Sequence, residues 1–333
     1  MKQRTLIVSD SRDIHVERLC EVFHEKQHPY FFIQLDHFPR DYRLSQIITD
    51  NGVAAFISHI PTGQTIDLAD VTAIWARKSA DYAFIDENMT EQEYAFAKQE
   101  IEQVLFGLLY SLDCFWLNHP LDMRKADWKC EQLTRATQHG FKIPPTITTN
   151  QPEKVRQFAQ SYCGEMIYKA LSSPLLAADQ VSLEQRQNDG LATSVITQEL
   201  MEQLDSIEQL PCHFQQYIPK QFELRVTIIG EQIFATKIDS QSDAKTRIDS
   251  RNLTANIQYS MFHLPEYIKQ ACLKFMHSYQ LNYSAMDFIV TPDNEYVFLE
   301  NNPNGQFMFI DELVPGYNLF EELANLFISK ANA

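Results

Sequence analysis

Residues 286–290 read Met-Asp-Phe-Ile-Val, and residues 298–303 read Phe-Leu-Glu-Asn-Asn-Pro. The short polar stretch Pro292-Asp293-Asn294 lies between these two runs, so the pattern predicts an antiparallel hairpin. In this hairpin the aspartate of the first run, Asp287, faces the glutamate of the second run, Glu300.

The predicted register places a pair of opposed carboxylates on one face of the hairpin. A loop at 292–295 gives this register, sets Thr291 opposite Tyr296, and adds Asn302 to the face that carries the carboxylates. Opposed carboxylates repel each other unless a cation lies between them. Oxygen ligands of this kind suit Mg²⁺, which would take its other ligands from water and triphosphate oxygens. The alternative is a solvated face with a slightly different register. The predicted Mg²⁺ ligands are Asp287, Glu300 and Asn302.

Composition narrows the class of protein. The chain has 333 residues, of which 44% are hydrophobic and 22% charged, and this predicts a soluble globular protein of two or three subdomains. No apolar run is long enough to span a bilayer, and the N-terminal residues lack a signal-peptide pattern, so we predict a cytoplasmic protein. The net charge of −16 argues against nucleic acid and anionic membranes as partners. An anionic ligand would therefore need a locally cationic pocket.

The first third of the chain predicts an α/β layer. Strand patterns occur at residues 5–8, 31–35 and 73–77, and a helix pattern follows the first of them. A longer helix is predicted from about Thr90 to Leu112, with Thr90 and Glu93 forming a capping box.

A boundary is predicted at Leu117-Asn118-His119-Pro120, where the apolar pattern stops. A new helix follows, with Asp122 as its expected N-cap. In the strand at 73–77, Trp75 and Arg77 could touch a substrate, but a Trp75 packed in the core with Arg77 on the surface is the more common arrangement and is the one expected here.

Two cationic side chains are placed where they could bind phosphate. Lys169 lies in the mostly apolar strand pattern 165–170, where a lysine is costly unless it reaches water or an anion. Glu223 and Arg225 share one face of a predicted hairpin strand, and this pair suits a ribose hydroxyl and a phosphate. The alternatives are an edge-strand lysine that reaches water and a Glu–Arg ion pair that is nearly neutral for stability. The polar run 240–256 is predicted to be a loop near the site.

The order of these features resembles the ATP-grasp superfamily from about His119 to the C-terminus. The resemblance implies an α/β (α+β) fold, an ATP-grasp fold preceded by an N-terminal α/β pre-ATP-grasp domain. It implies domains at residues 1–118, 119–211 and 212–333, the last carrying the Mg-ATP site.

The same resemblance assigns roles to individual residues, with ATP and Mg²⁺ as cofactors. Lys129 and Lys169 would contact the phosphates, and Glu223 would bind the ribose. Arg225 would stabilise the transferred phosphoryl group. The backbone of Gln215, Gln216, Tyr217 and Ile218 would hold adenine. Asp287, Glu300 and Asn302 would bind Mg²⁺.

Within this superfamily the chain resembles the ligases that mature microviridins and related graspetides. The similarity covers nearly the whole chain and includes the stretches 218–225 and 281–287. The family often has a Tyr-Arg-Arg type sequence where this chain has Trp75-Ala76-Arg77, which puts a substrate role for that strand in doubt.

The family resemblance implies a reaction and a partner. ATP would activate Asp or Glu side chains of a ribosomal precursor peptide as acyl phosphates, and ω-ester or ω-amide rings would close within that peptide. A leader helix would dock near residues 171–200, and Arg247 and Arg251 would receive the acidic core. A homodimer is a further family expectation. The alternatives are an ATP-grasp ligase that adds an amino acid to a peptide or protein, and a non-catalytic ATP-binding scaffold.

Overall fold

A computed structural model describes residues 4–162, 165–172, 193–243, 246–247 and 257–331. The described helices are α1 (Ile14–Glu25), α2 (Glu91–Tyr110), α3 (Pro120–Ala126), α4 (Lys129–Gln138), α5 (Pro152–Ser161), α6 (Gln198–Glu202), α7 (Glu266–Ser278), α8 (Met308–Leu313) and α9 (Leu319–Ala331). Within these residues, no helix combines the length and apolar character needed to cross a membrane.

The N-terminal part contains two sheets. Its strands are β1 (Arg4–Ser9), β2 (Tyr30–Gln34), β3 (Tyr42–Thr49), β4 (Gly52–His59), β5 (Gln64–Asp67), β6 (Val71–Ala76) and β7 (Phe115–Trp116). Four of them form a parallel sheet in the order β2-β1-β6-β7, and β1, β2 and β6 lie at the three predicted strand patterns. The antiparallel sheet β3-β4-β5 was not predicted, and the apolar residues near its hairpin tip are exposed. The predicted capping box of Thr90 and Glu93 is confirmed at the start of α2.

The prediction of a surface position for Arg77 was wrong. Arg77 is buried, and its Nε lies 2.9 Å from Oδ2 of Asp13, the N-cap residue of α1. Burial alone would raise the pKa of Asp13, but its hydrogen bond with His15 and the charges of Arg77 and Lys78 outweigh burial and hold it well below the usual range. The Arg77 carbonyl also accepts a 2.6 Å hydrogen bond from Nδ2 of Asn304. The end of β6 is thereby joined to a C-terminal loop.

The predicted helix after residue 119 is two helices, and its expected cap was wrong. His119 is the N-cap of α3, because its ring accepts a hydrogen bond from the Leu121 N–H, and Pro120 occupies the first helical position. The chain then breaks at Asp127 and Trp128 before α4 begins. Because of this break, α4 has an N-terminus of its own, separate from α3.

The central sheet is antiparallel in the order β10-β9-β11-β8. Its strands are β8 (Thr146–Thr149), β9 (Met166–Tyr168), β10 (Ser194–Val195) and β11 (Cys212–Gln216). The C-terminal sheet contains β12 (Phe222–Ile229), β13 (Gln232–Ile238), β14 (Tyr259–Phe262), β15 (Tyr283–Val290) and β16 (Tyr296–Asn302), in the order β14-β13-β12-β15-β16. Strand β11 pairs within the central sheet, whereas α4 packs on the C-terminal sheet. The division of the chain at residues 118 and 211 stays a prediction.

Two large cores hold the C-terminal sheet. One face packs on α4 and α7 in a core that includes Phe141, Phe275 and Phe298. A second core joins Val16 and Leu19 of α1 to the C-terminal helix α9, with Phe327 fully buried. The C-terminal helix therefore completes the core of the N-terminal layer.

Candidate active site

A row of four charged side chains crosses the C-terminal sheet. Arg225 of β12 faces Asp287 of β15, and Asp287 in turn faces Glu300 of β16. Arg225 Nη1 lies 3.0 Å from Asp287 Oδ2, and Lys129 Nζ from α4 lies 2.6 Å from Glu300 Oε2. The charges thus run cation, anion, anion, cation, and we call these four residues the charged row.

The predicted hairpin exists, and its carboxylates face each other as expected, but part of the register was wrong. Tyr296 faces Val290, where the prediction placed Thr291. The register shifts by one residue between Asp287 and Phe288. This irregularity in the ladder restores the predicted pairing of Asp287 with Glu300. The shift keeps both carboxylates on the same face.

The electrostatics of Asp287 favour a bound cation. Burial raises the pKa of Asp287 to about 6; the charge of Arg225 lowers it, and that of Glu300 raises it further. A divalent ion gains most electrostatic stabilisation where a carboxylate that is costly to ionise lies beside a second carboxylate. The oxygen-only donor set of Asp287, Glu300 and Asn302 fits Mg²⁺. Among the described residues there is no cluster of three or more His, Cys, Asp or Glu side chains suited to a metal.

Asn302 lies at the end of β16, exposed and opposite Ala285. Its Oδ1 accepts a 3.3 Å hydrogen bond from the Asn304 N–H, which limits the rotation of the side chain. Gly305 follows so closely over β15 that a Cβ added there would lie 2.6 Å from the Cβ of Ala285. Glycine at 305 therefore lets the loop return across the sheet directly after the third candidate ligand.

Sequence reasoning missed Asn118, which is buried and connects the end of β7 to the hairpin. Its Nδ2 donates 2.8 Å hydrogen bonds to the carbonyls of Tyr283 and Pro303. Its Oδ1 accepts from the N–H groups of Asn282 and Tyr283, at 2.6 and 2.9 Å. Its position next to a predicted boundary gave no signal of this role.

Glu223 lies two residues before Arg225 on β12 and is buried. Its Oε1 is hydrogen bonded to Nζ of Lys220, which is also buried and which sequence reasoning did not select. The signal available in the sequence was a lysine three residues before a glutamate, next to an apolar strand. Lys220 thus offsets the charge of Glu223 beside the charged row.

The predicted connector 215–218 continues from β11 out of the central sheet. The Gln216 N–H donates to the Pro145 carbonyl and the Tyr217 N–H to the Glu165 carbonyl, at 2.9 and 2.7 Å. The Gln215 side chain is buried and donates to Thr146 Oγ1. The last predicted residue of the connector, Ile218, follows β11 outside any strand.

Of the three remaining predicted residues, the structure describes Lys169 and Arg247 but not Arg251. Lys169 directly follows β9, and its N–H donates to the carbonyl of His213. Arg247 is exposed, and its carbonyl accepts a 3.4 Å hydrogen bond from Tyr217 Oη. Arg251 lies outside the described residues, as does most of the predicted leader site, at 173–192.

The N-terminal residues 4–124 match the family described as the MvdD pre-ATP grasp domain. No curated protein matches the chain significantly.

Three solved structures are similar along nearly the whole chain. The macrocyclase MdnC from Microcystis aeruginosa MRC, bound with precursor peptide MdnA, is 30% identical, with a TM-score of 0.83 over 98% of this chain and 99% of that chain. A RiPP-associated ATP-grasp ligase from Chryseobacterium gregarium, in complex with ADP and a leader and core peptide, is 28% identical, with a TM-score of 0.88 over 98% and 97%. The macrocyclase MdnB from Microcystis aeruginosa MRC is 26% identical, with a TM-score of 0.77 over 98% and 99%.

These similarities confirm the predicted ATP-grasp fold with its N-terminal pre-ATP-grasp domain. The roles of individual site residues stay predictions. With 30% identity over almost the full length of both chains, this protein belongs to the graspetide family of ATP-grasp macrocyclases.

Proposed function

We propose that this enzyme uses ATP to activate Asp or Glu side chains of a ribosomally made precursor peptide and closes ω-ester or ω-amide rings within that peptide. The charged row supports this most directly, because two adjacent carboxylates flanked by two cations suit a divalent metal ion and the phosphates that it would bind. The similar macrocyclase MdnC was crystallised with its precursor peptide, and the Chryseobacterium gregarium ligase with ADP and peptide.

Asp287, Glu300 and Asn302 would hold Mg²⁺, which neutralises phosphate charge during phosphoryl transfer. In the structure each carboxylate contacts a cation, Arg225 or Lys129. Mg²⁺ would take over from these two cations as the counter-charge of the carboxylates. Arg225 would then stabilise the charge on the transferred phosphoryl group.

The nucleotide would lie between the central and C-terminal sheets. Lys129 and Lys169 would contact phosphate, and Glu223 would accept from a ribose hydroxyl while Lys220 holds its carboxylate. The connector Gln215, Gln216, Tyr217 and Ile218 would hold adenine. Because the N–H groups of Gln216 and Tyr217 are already bonded within the protein, this contact falls to the remaining backbone groups of the connector.

Ring closure needs two chemical steps. A peptide carboxylate oxygen attacks the γ-phosphorus of ATP, the bond to the bridging oxygen breaks, and ADP leaves. A Ser or Thr hydroxyl or a Lys amine of the same peptide then attacks the acyl carbon, phosphate leaves, and the nucleophile loses its proton. Because both groups belong to one peptide, the enzyme mainly orients them and excludes water.

The finer features of the partner are also proposals. A leader helix would dock near 171–200, and Arg247 and Arg251 would receive the acidic core. The domains would divide at 118 and 211, and the protein would act in the cytoplasm.

The function is tested by the intact mass of a candidate precursor peptide incubated with the protein, ATP and Mg²⁺. Each ring forms by net condensation, so we expect ATP-dependent losses of ~18 Da. Alkaline hydrolysis of the product then distinguishes esters from amides. A mass gain would instead identify a ligase that adds a separate amine. An unchanged mass with the peptide encoded beside this gene would argue against ring closure.

We also propose a homodimer through the N-terminal layer. The tip of the β3–β4 hairpin exposes Ile47, Ile48 and Val53 by 63%, 68% and 63% of their surface, which is apolar area suited to a contact. Ile48→Lys should halve the mass found by light scattering, because a buried, unpaired lysine opposes association. Leu210→Lys, at a 57% exposed position far along the chain, is the control. A monomeric wild-type protein would contradict the proposal.

A further inference from the structure

Gln132 of α4 is 1% exposed and bonds to the backbone of the strand that carries two candidate metal ligands. Its Nε2 donates a 2.8 Å hydrogen bond to the Asn301 carbonyl, and its Oε1 accepts a 2.8 Å hydrogen bond from the Asn301 N–H. The same Nε2 also donates to the carbonyl of Ala126, at the end of α3. Both polar atoms of this side chain are therefore committed to backbone groups.

These bonds replace a missing neighbouring strand. Among the described strands β16 is the edge of its sheet, so the N–H and carbonyl groups on its outer side face no further strand there. The Lys142 carbonyl bonds the Phe298 N–H on this edge, and Gln132 bonds both groups of Asn301. A side-chain amide supplies one donor and one acceptor, which is what one strand residue would supply.

Asn301 lies between Glu300 and Asn302 in the chain, so fixing its backbone fixes the directions of both neighbours. Its own side chain points to the opposite face, where Oδ1 accepts a hydrogen bond from Ser284 Oγ. On the same face of α4 as Gln132 and one turn earlier, Lys129 contacts Glu300. One helix thus holds the backbone of residue 301 and the side chain of residue 300.

We propose that Gln132 is a positioning residue of the metal site, one that acts through Asn301 to aim Glu300 and Asn302. The proposal rests on the proposed function, in which these two residues bind Mg²⁺. Gln132 itself touches neither substrate nor metal. Groups that hold metal ligands in place commonly change metal affinity by one to two orders of magnitude when they are removed.

The test measures Mn²⁺ binding by the loss of the free-ion signal in electron paramagnetic resonance, with ADP present and no peptide. Mn²⁺ accepts the same oxygen ligands as Mg²⁺. Gln132→Met keeps the length and apolar stem of the side chain but removes both hydrogen-bonding atoms. We expect its Mn²⁺ dissociation constant to rise about tenfold or more, while ADP binding without metal is unchanged.

Two further variants make the result specific. Gln138→Met places the same substitution on the same helix at an exposed position and should bind Mn²⁺ like the wild-type protein. Gln132→Asn keeps one donor and one acceptor but shortens the side chain by one methylene, so its Mn²⁺ affinity should fall between those of wild type and Gln132→Met. Gln132→Asn also carries the test if Gln132→Met does not fold.

The outcomes separate this proposal from the proposed function. Normal Mn²⁺ affinity in folded Gln132 variants, even with a lowered melting temperature, would show a purely structural role and overturn the proposal. Failure of the wild-type protein to bind Mn²⁺ with ADP would overturn the proposed metal site, and the role of Gln132 with it. A wild-type protein that binds Mn²⁺–ADP but closes no rings would leave the role of Gln132 supported by the Mn²⁺ shift alone.

Discussion

Asp287→Asn should abolish ring formation and leave the protein folded, with a free energy of unfolding at pH 7 that is unchanged or higher. Burial raises the pKa of the Asp287 carboxyl from an ordinary value of 3.8 to about 6. Folding therefore favours the protonated form, and ionisation at neutral pH destabilises the folded state. Asparagine removes this cost while keeping an acceptor for Arg225. Peptide mass and thermal unfolding measure the two effects.

The loss of activity should trace to metal binding. Ligands that bind only the folded state raise its melting temperature, so adding Mg²⁺ to the ADP-bound protein should raise the melting temperature of the wild type further and leave that of Asp287→Asn unchanged. Asp293→Asn, in the exposed turn of the same hairpin, is the matched control and should behave like wild type. Full turnover by Asp287→Asn would remove this residue from the proposed metal site.

Arg225→Ala should lower the rate of ring formation by at least about 10³-fold, with a smaller effect on ADP binding. The reason is that a guanidinium aimed at the transferred phosphoryl group stabilises charge that develops only in the transition state. Arg225→Lys should recover part of the rate, because it keeps the charge but cannot bind phosphate oxygens in the two-pronged manner of arginine. Single-turnover kinetics on a precursor peptide would measure both.

Arg18→Ala removes an exposed arginine from α1 and serves as the control for loss of positive charge. A rate for Arg225→Ala close to that of wild type would contradict the assigned role. A weakened affinity for ADP with an unchanged rate would place Arg225 in ground-state binding of the nucleotide instead.

Sequence pattern predicted the N-terminal α/β layer and the two hairpins that carry the charged residues of β12, β15 and β16, while the ATP-grasp fold followed from the family resemblance. Alternation along a strand fixes which side chains share a face, so Glu223 with Arg225 and Asp287 with Glu300 could be paired from sequence. The turn was misplaced by one residue, and a one-residue irregularity in the ladder cancelled that error at Asp287. Such irregularities have no simple sequence signature. The predicted pairing of Asp287 with Glu300 was therefore correct only because the two one-residue shifts compensated each other.

The residues that sequence reasoning missed contact residues that are far away in the sequence. Arg77 contacts Asp13 and Asn304, and Asn118 bonds to residues 282, 283 and 303. Periodicity and capping rules describe neighbours within a few residues, so they cannot assign partners at such separations. A buried arginine and a buried asparagine each look like surface residues until their distant partners are known.

The packing of α9 on α1, β1 and β6 bears on the order in which the protein can fold during synthesis. Residues 4–124 are made first, but Val16, Leu19 and Phe23 find part of their core only in Phe320, Leu323 and Phe327. The early layer therefore leaves an apolar surface uncovered until α9 has been translated, and nascent chains with such surface are prone to aggregate. Chaperone engagement during translation is accordingly expected at the N-terminal third of this enzyme.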